Sequence, residues 1–178
     1  MDLFEAIKER HSYRLGFKET PIPEEDLRRI VQAGLDAPSG CNAQTTRFVI
    51  VNDPEKVQSI SELSIHNRKA MKQAKAYILI CLEKNPTHSY KNMSFQVEDS
   101  AAAVENMLLA ITALGYGSVW IDGWLRTDNH AEEIAKCISL PEHMQLRIIL
   151  PIGVPAETAQ RKEKMTFDER CCFNTYTL

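Results

Sequence analysis

Residues 37–51, APSGCNAQTTRFVIV from Ala37 to Val51, run from a helix end through a polar loop into an apolar strand. Pro38, Gly40, Asn42 and Gln44 give the loop its polarity and its irregular backbone. A loop of this kind exposes backbone N–H groups and side-chain amides at a sheet edge, where a flat, hydrogen-bonding ligand can be held. The plainer reading is a connector, and the rest of the chain decides between the two.

Working outward, Leu3, Phe4 and Ile7 share one face of a first helix. A second helix starts at Pro23, with Glu24, Glu25 and Asp26 at its positive end and Leu27, Ile30, Val31 and Leu35 on its apolar face. Phe48–Val51 is a strand, and Asp53-Pro54 opens a helix carrying Val57, Ile60 and Leu63. Ala76–Leu82 is a continuous apolar run, expected as a central strand buried on both faces. Glu98–Leu114 is an Ala-rich helix ended by Gly115, and its small Ala101, Ala102, Ala103 and Ala110 allow another helix to approach closely. A strand Ser118–Ile121, a helix from an Asp128 cap to Cys137 and a strand Leu146–Ile152 complete the pattern. Helices and short strands without strict alternation predict an α+β or mixed α/β sandwich in one domain, residues 1–178, with 157–178 as a tail.

The composition excludes several classes. At 178 residues, 44% hydrophobic and 25% charged, the chain is an ordinary globular sequence. Its longest apolar runs are too short to cross a bilayer, and MDLFEAIKER is neither a signal nor a transit peptide, so a cytoplasmic location is expected. A net charge of −3 offers no general field for nucleic acid or anionic lipid, so any anion site must be local. Five scattered cysteines without C-x-x-C suit a reducing compartment, and no Cys/His spacing suggests a metal.

Several segments carry chemistry, each with an ordinary alternative. Arg10-His11-Ser12-Tyr13-Arg14 could grip a phosphate with paired guanidinium donors, or could merely set cations at a helix C-terminus. Gly115-Tyr116-Gly117 follows a helix rather than a strand, so a dinucleotide fingerprint is the wrong reading. Trp120-Ile121-Asp122-Gly123-Trp124 lets a strand exit where backbone N–H groups can meet a ligand plane, or simply packs its tryptophans. Arg161-Lys162-Glu163-Lys164 reads alone as a solvated tail, Asn67 and Lys69 as surface, and Glu98-Asp99 as the acidic first turn of a helix.

Taken in order, these pieces resemble the nitroreductase family of FMN-dependent oxidoreductases. The matching stretches are Arg10–Arg14, Ala37–Gln44 leading into Arg47–Val51, Asp99–Ile121 with its Gly115-Tyr116-Gly117-Ser118, Leu150–Glu157 and the basic tail, together nearly the whole chain. The resemblance implies an α+β fold, a three-layer α/β/α sandwich with a mostly antiparallel central sheet, in an intertwined homodimer with FMN at the subunit interface. It also implies an enzyme that passes hydride from NADH or NADPH to the flavin and then to a nitroaromatic, quinone or similar acceptor by a ping-pong route. Alternatives are a flavin-binding or redox-sensing protein with little turnover, and a specialised flavin enzyme such as a dehalogenase.

By the same resemblance, Arg10 and Ser12, with His11, match residues around the FMN phosphate and ribityl chain. Arg14 and Asn67 match groups at the pyrimidine edge. Pro38, Ser39, Gly40 and Asn42 match the loop laid against the ring by the other subunit, Asp122 and Gly123 the pair whose N–H groups approach N5, and Lys162 or Lys164 the tail's phosphate contact. A cation beside N1 and O2 favours the reduced flavin, and no protein nucleophile is required. The chain departs from many relatives at Thr45 and Thr46, where Pro and an aromatic are common, and at Tyr13 and Cys41.

Overall fold

Residues Ala76 to Leu82 are each 0% exposed, and they form the spine of the fold. They lie in strand β2 (Ala76–Glu83) of the computed structural model, which describes residues 1–64, 69–87 and 89–177. Successive side chains of a strand leave opposite faces. Ala76, Ile78 and Ile80 accordingly enter one apolar cluster, and Tyr77, Leu79 and Cys81 enter another. An all-apolar strand thus requires cover on both sides.

Helices supply that cover. On the first face lie α2 (Glu24–Leu35) and α5 (Gln96–Ala113), contributing Leu27, Ile30, Val104, Met107 and Ile111. On the second lie α3 (Pro54–Leu63), the single turn α4 (Lys69–Lys72) and α6 (His130–Cys137), contributing Ile60, Met71 and Ile134. In the sheet between them, β2 pairs with β1 (Arg47–Val51) and with β4 (Met144–Gly153), and β3 (Gly117–Ser118) pairs with β4. The order is β1-β2-β4-β3 and every pairing is antiparallel. This is the α+β, three-layer α/β/α sandwich expected from the sequence. No helix among the described residues is long and apolar enough to cross a membrane.

Local chemistry sets the boundaries. Asp2 and Glu5 form a reciprocal capping box that starts α1 (Leu3–Glu9). The Asp53 side chain accepts from Lys56 N at 3.0 Å, with Pro54 at the first helical position. Gly115 takes φ +83°, and Tyr116 N donates back to Ile111 O at 2.9 Å, closing α5 in a Schellman-type turn. The close approach to α5 occurs at Gly34 of α2, where an added methyl would lie 2.9 Å from Met107 Cγ.

Three expectations need adjustment. The strand expected over Ser118–Ile121 is an interrupted ladder: Ile121 bridges Ile149 in the register set by Gly117 and Ser118, but Val119 and Trp120 form no ladder pair. Asp128 does not cap α6; Asp128 and Asn129 both adopt left-handed φ, 52° and 59°, and Asn129 holds the cap position without a side-chain bond. The apolar face of α1 is not buried in the single chain: Leu3, Phe4 and Ile7 are exposed and only Ala6 is covered.

Tyr116 ties the end of α5 to α2 by donating to Asp26 Oδ2 at 2.7 Å. Burial first, then that bond and the Asp26 charge, push its phenol from 10 up to about 12. Below pH 10 the phenol is neutral in both states, so the stabilisation is complete there; as pH rises towards about 12 the unfolded chain ionises first and stability falls. The gap in urea midpoint between wild type and Tyr116→Phe should therefore be constant below pH 10 and narrow above it. An unchanged gap on both sides would show that the phenol does not titrate in this way.

Candidate functional site

The segment after α1 is pinned where it passes β3 and β4. Tyr13 N donates to Ser118 O at 2.8 Å, and the Tyr13 ring is buried. Its hydroxyl donates to Gly16 O at 2.7 Å and accepts from Ala156 N at 3.2 Å and Glu157 N at 3.3 Å. One side chain thereby fixes the Arg10–Arg14 segment against the origin of the tail.

That clamp gathers the basic residues. Arg10, His11, Ser12, Arg14, Gln160, Arg161, Lys162 and Lys164 line a single cavity of about 290 Å³. Five of these are cations and none is a carboxylate, in a chain whose net charge is −3. Two acids lie behind them: Glu105 meets Arg10 at 3.1 Å and Glu9 meets Arg161 at 3.9 Å. Arg14 is held towards the cavity wall by donating to Ser12 O at 3.2 Å. His11 Nδ1 faces Glu9 O at 2.8 Å, and because a carbonyl only accepts, Nδ1 carries the proton. Its buried Nε2 has no partner among the described residues.

The 37–46 loop is built differently. The side chain of Asp99, in the first turn of α5, is buried and accepts from Gly40 N at 2.8 Å and Thr45 Oγ1 at 3.1 Å. Ser39 Oγ accepts from Gln44 N at 3.0 Å, closing the loop on itself. Cys41, Asn42 and Gln44 take φ of 52°, 54° and 49°. Gly40 is required by space, since a Cβ there would sit 2.4 Å from the Phe95 ring. Asn42 and its neighbours face solvent. Asp99→Asn keeps an acceptor for Gly40 but removes the charge, and is expected to lower stability by about 1 kcal/mol in urea unfolding. No measurable change would remove Asp99 from its anchoring role.

At the third position, the Asp122 carboxylate is fully engaged. Arg126 binds it with Nε at 2.6 Å and Nη2 at 2.7 Å, and Arg147 binds it from β4. Its side chain is therefore spent on this ion cluster, while the backbone stays available. Among the described residues none accepts from the N–H of Asp122 or Gly123, and nothing lies within 4 Å of a Cβ added at Gly123. Trp124 stacks on His130, with centroids 4.3 Å apart, so this tryptophan has the packing role.

Within one chain the structure brings Arg10, His11, Ser12, Arg14, Lys162 and Lys164 together. Pro38 and Ser39 line a separate small cavity with Gln44, Thr45 and Thr46; neither these two nor Gly40 and Asn42 line the basic cavity, and Asp122 and Gly123 also lie outside it. Asn67 lies outside the described residues. Sequence reasoning named Arg161, Tyr13 and Asp99 without giving any of them its own role at the site, and left out Gln160. The basic run was the available signal for Arg161, whereas Tyr13 and Asp99 act through bonds to distant segments that carry no local pattern.

Comparison with known proteins identifies the family. The profile of the "Nitroreductase family" matches residues 7–66 and 63–154. A Methanothermobacter thermautotrophicus protein, provisionally named NADH dehydrogenase/NAD(P)H nitroreductase, is 35% identical over 162 residues, covering 88% of this chain and 79% of the relative. An iodotyrosine deiodinase from Thermotoga neapolitana is 28% identical over 177 residues, covering 86% of this chain and 88% of the relative. A crystal structure from Desulfovibrio desulfuricans, provisionally named a nitroreductase and solved in complex with FMN, superposes with a TM-score of 0.80 at 26% identity, covering 99% of each chain. The chain belongs to the nitroreductase family.

Proposed function

We propose that this protein is an FMN-dependent oxidoreductase that carries reducing equivalents from NADH or NADPH to small acceptors such as nitroaromatics and quinones by a ping-pong route. The observation that carries the reading is the carboxylate-free basic cavity, which joins Arg10–Arg14 to the tail cations Arg161, Lys162 and Lys164. A phosphate ester bears close to two negative charges at neutral pH, and guanidinium and ammonium donors on several sides match it. Bound FMN would supply the two-electron chemistry.

The chain's own residues bind and orient. Arg10, Ser12 and the tail lysines hold the phosphate end, with His11 in the wall. Arg14 and Asn67 serve the pyrimidine edge, where a cation favours the reduced form. The free N–H groups of Asp122 and Gly123 are donors for the ring edge that exchanges hydride. Pro38, Ser39, Gly40 and Asn42 close the pocket from a second copy of the chain, since their own basic cavity lies elsewhere.

A homodimer also gives the exposed apolar surface a purpose. Phe4 is 81% exposed on α1, Phe173 and Tyr176 are 79% and 80% exposed on the tail, and each is a large apolar group that an interface would cover. The deiodinase among the relatives keeps dehalogenation as a second reading. The short connection from β2 to α5, Glu83 to Gln96, leaves little chain for a dedicated substrate lid and favours broad acceptor use. The test is the spectrum of the purified protein under anaerobic conditions. A yellow protein bleached within the time of turnover by NADH or NADPH, and recoloured by a nitroaromatic or quinone, is the expected result. A colourless protein that takes up no FMN overturns the reading, and bleaching by dithionite alone leaves only the binding or sensing alternative.

A further inference from the structure

A cavity of about 640 Å³, separate from the basic pocket, lies on the α6 side of the sheet, between the start of α5 and the start of β4. Its volume falls in the range of about 300–1,000 Å³ typical of small-molecule sites. Leu82, Leu125, Ala135 and Leu146 supply apolar walls. Two polar groups in it are left incomplete.

The first is Gln96, 7% exposed. Its Nε2 donates to Glu83 O at 3.0 Å, which fixes the amide orientation, and its buried Oε1 has no partner among the described residues. A buried acceptor of this kind calls for a donor. The second is Arg147. Its Nη1 meets Asp122, whose two oxygens Arg126 also occupies, so two guanidiniums share one carboxylate and a positive charge remains on that wall. The other N–H donors of Arg147 meet no acceptor among the described residues. At the rim, Lys84 and Lys136 are balanced by Glu132 and Glu142, so the sign is set by the arginines.

We propose that this cavity binds a small organic acid with an apolar body: its carboxylate meets Arg147, and a hydroxyl or N–H group on the same molecule donates to Gln96 Oε1. The cavity shares no residue with the basic pocket, and Arg147 meets the flavin reading only through the Asp122 carboxylate, whereas that reading uses the Asp122 backbone N–H. An apolar body suits the leucine walls, and a planar carboxylate suits the paired donors of a guanidinium.

The experiment titrates 4-hydroxybenzoate and 3-hydroxybenzoate into the purified full-length protein, carrying whatever flavin it retains, while the Leu and Ala methyl resonances and the visible spectrum are followed. At least one isomer should give saturable shifts at Leu82, Leu125, Ala135 and Leu146 with a Kd below about 10 mM, leaving the flavin spectrum unchanged. Arg147→Met should weaken binding at least about tenfold, as expected for a lost charge-assisted contact. Gln96→Met should weaken the hydroxybenzoate about fivefold while leaving benzoate unaffected, since benzoate offers Gln96 no donor. Glu83 O keeps its bond from Gln145 Nε2 at 3.3 Å in that variant, which guards against a folding artefact. Ala135→Trp, which fills the cavity from α6, should abolish binding. No saturable shift at these methyls would overturn the site. Shifts confined to the Arg10–Arg14 segment, unchanged affinity in Ala135→Trp, or methyls that respond only to dilution of a dimer would do so equally. A colourless protein that still binds the acid would refute the flavin reading and leave this one standing.

Discussion

Arg10→Ala is expected to weaken FMN binding by about ten- to a hundredfold, the worth of one charge-assisted hydrogen bond to an anion. Arg10 ends α1, is largely covered, and lies in the cavity wall with Glu105 holding its Nε from behind. That carboxylate orients the guanidinium and leaves its outer nitrogens for a ligand. The informative comparison is riboflavin, which has the same ring and no phosphate. Fluorescence titration of the flavin-free protein should show the loss for FMN and almost none for riboflavin. Equal losses for both would place Arg10 away from the phosphate. Lys164→Ala, on an exposed stretch of tail, should cost less and should lose its effect at high salt.

The second large effect is on stability. Tyr13→Phe leaves the ring in place and deletes a hydroxyl that makes one donated and two accepted hydrogen bonds. The Glu157 N–H then loses its partner, while Ala156 N and Gly16 O keep the 3.1 Å bond between them, and the expected loss is about 1–2 kcal/mol in urea unfolding. Because the same hydroxyl pins the origin of the tail, FMN affinity should fall as well, although no atom of Tyr13 is assigned to the ligand. A stability change within about 0.5 kcal/mol, the range of an ordinary surface substitution, would contradict the clamp.

The centre of the fold was legible because an uninterrupted apolar run has one solution in a chain of this kind, a strand covered on both faces. Asp53-Pro54 and Gly115 marked helix ends through mechanisms that are local, and the structure keeps both. Asp128 was misread because a left-handed pair at Asp128 and Asn129 turns the chain before α6, and no nearby residue announces it. In α1, periodicity located the apolar face but could not say what covers it; in the single chain Leu3, Phe4 and Ile7 stay exposed.

The candidate site was legible in part for the same reason. Arg10–Arg14 and Lys162–Lys164 are visible as charge, but their meeting depends on Tyr13, whose partners lie up to 144 positions away in sequence. Asp99 had a sufficient local explanation in the first turn of α5. Its bonds to Gly40 and Thr45, 59 and 54 positions distant, emerge only from the packed structure. The departures at Tyr13 and Thr45 from the commoner family residues thus acquire reasons: each supplies a hydroxyl that bonds another segment.

The central claim is that one copy supplies the basic pocket and another supplies the 38–42 loop. Subunit complementation tests it most directly. Arg10→Ala subunits, defective in the pocket, are mixed with subunits defective in the loop, for example Asn42→Trp, and the heterodimer is isolated by its two different tags. If the site is shared, the defects collect in one cleft and the other is wholly wild type, so the heterodimer should retain half the flavin of the wild-type dimer at wild-type affinity. If each chain builds its own site, every cleft carries a defect, and a heterodimer that binds no better than either parent would contradict the account.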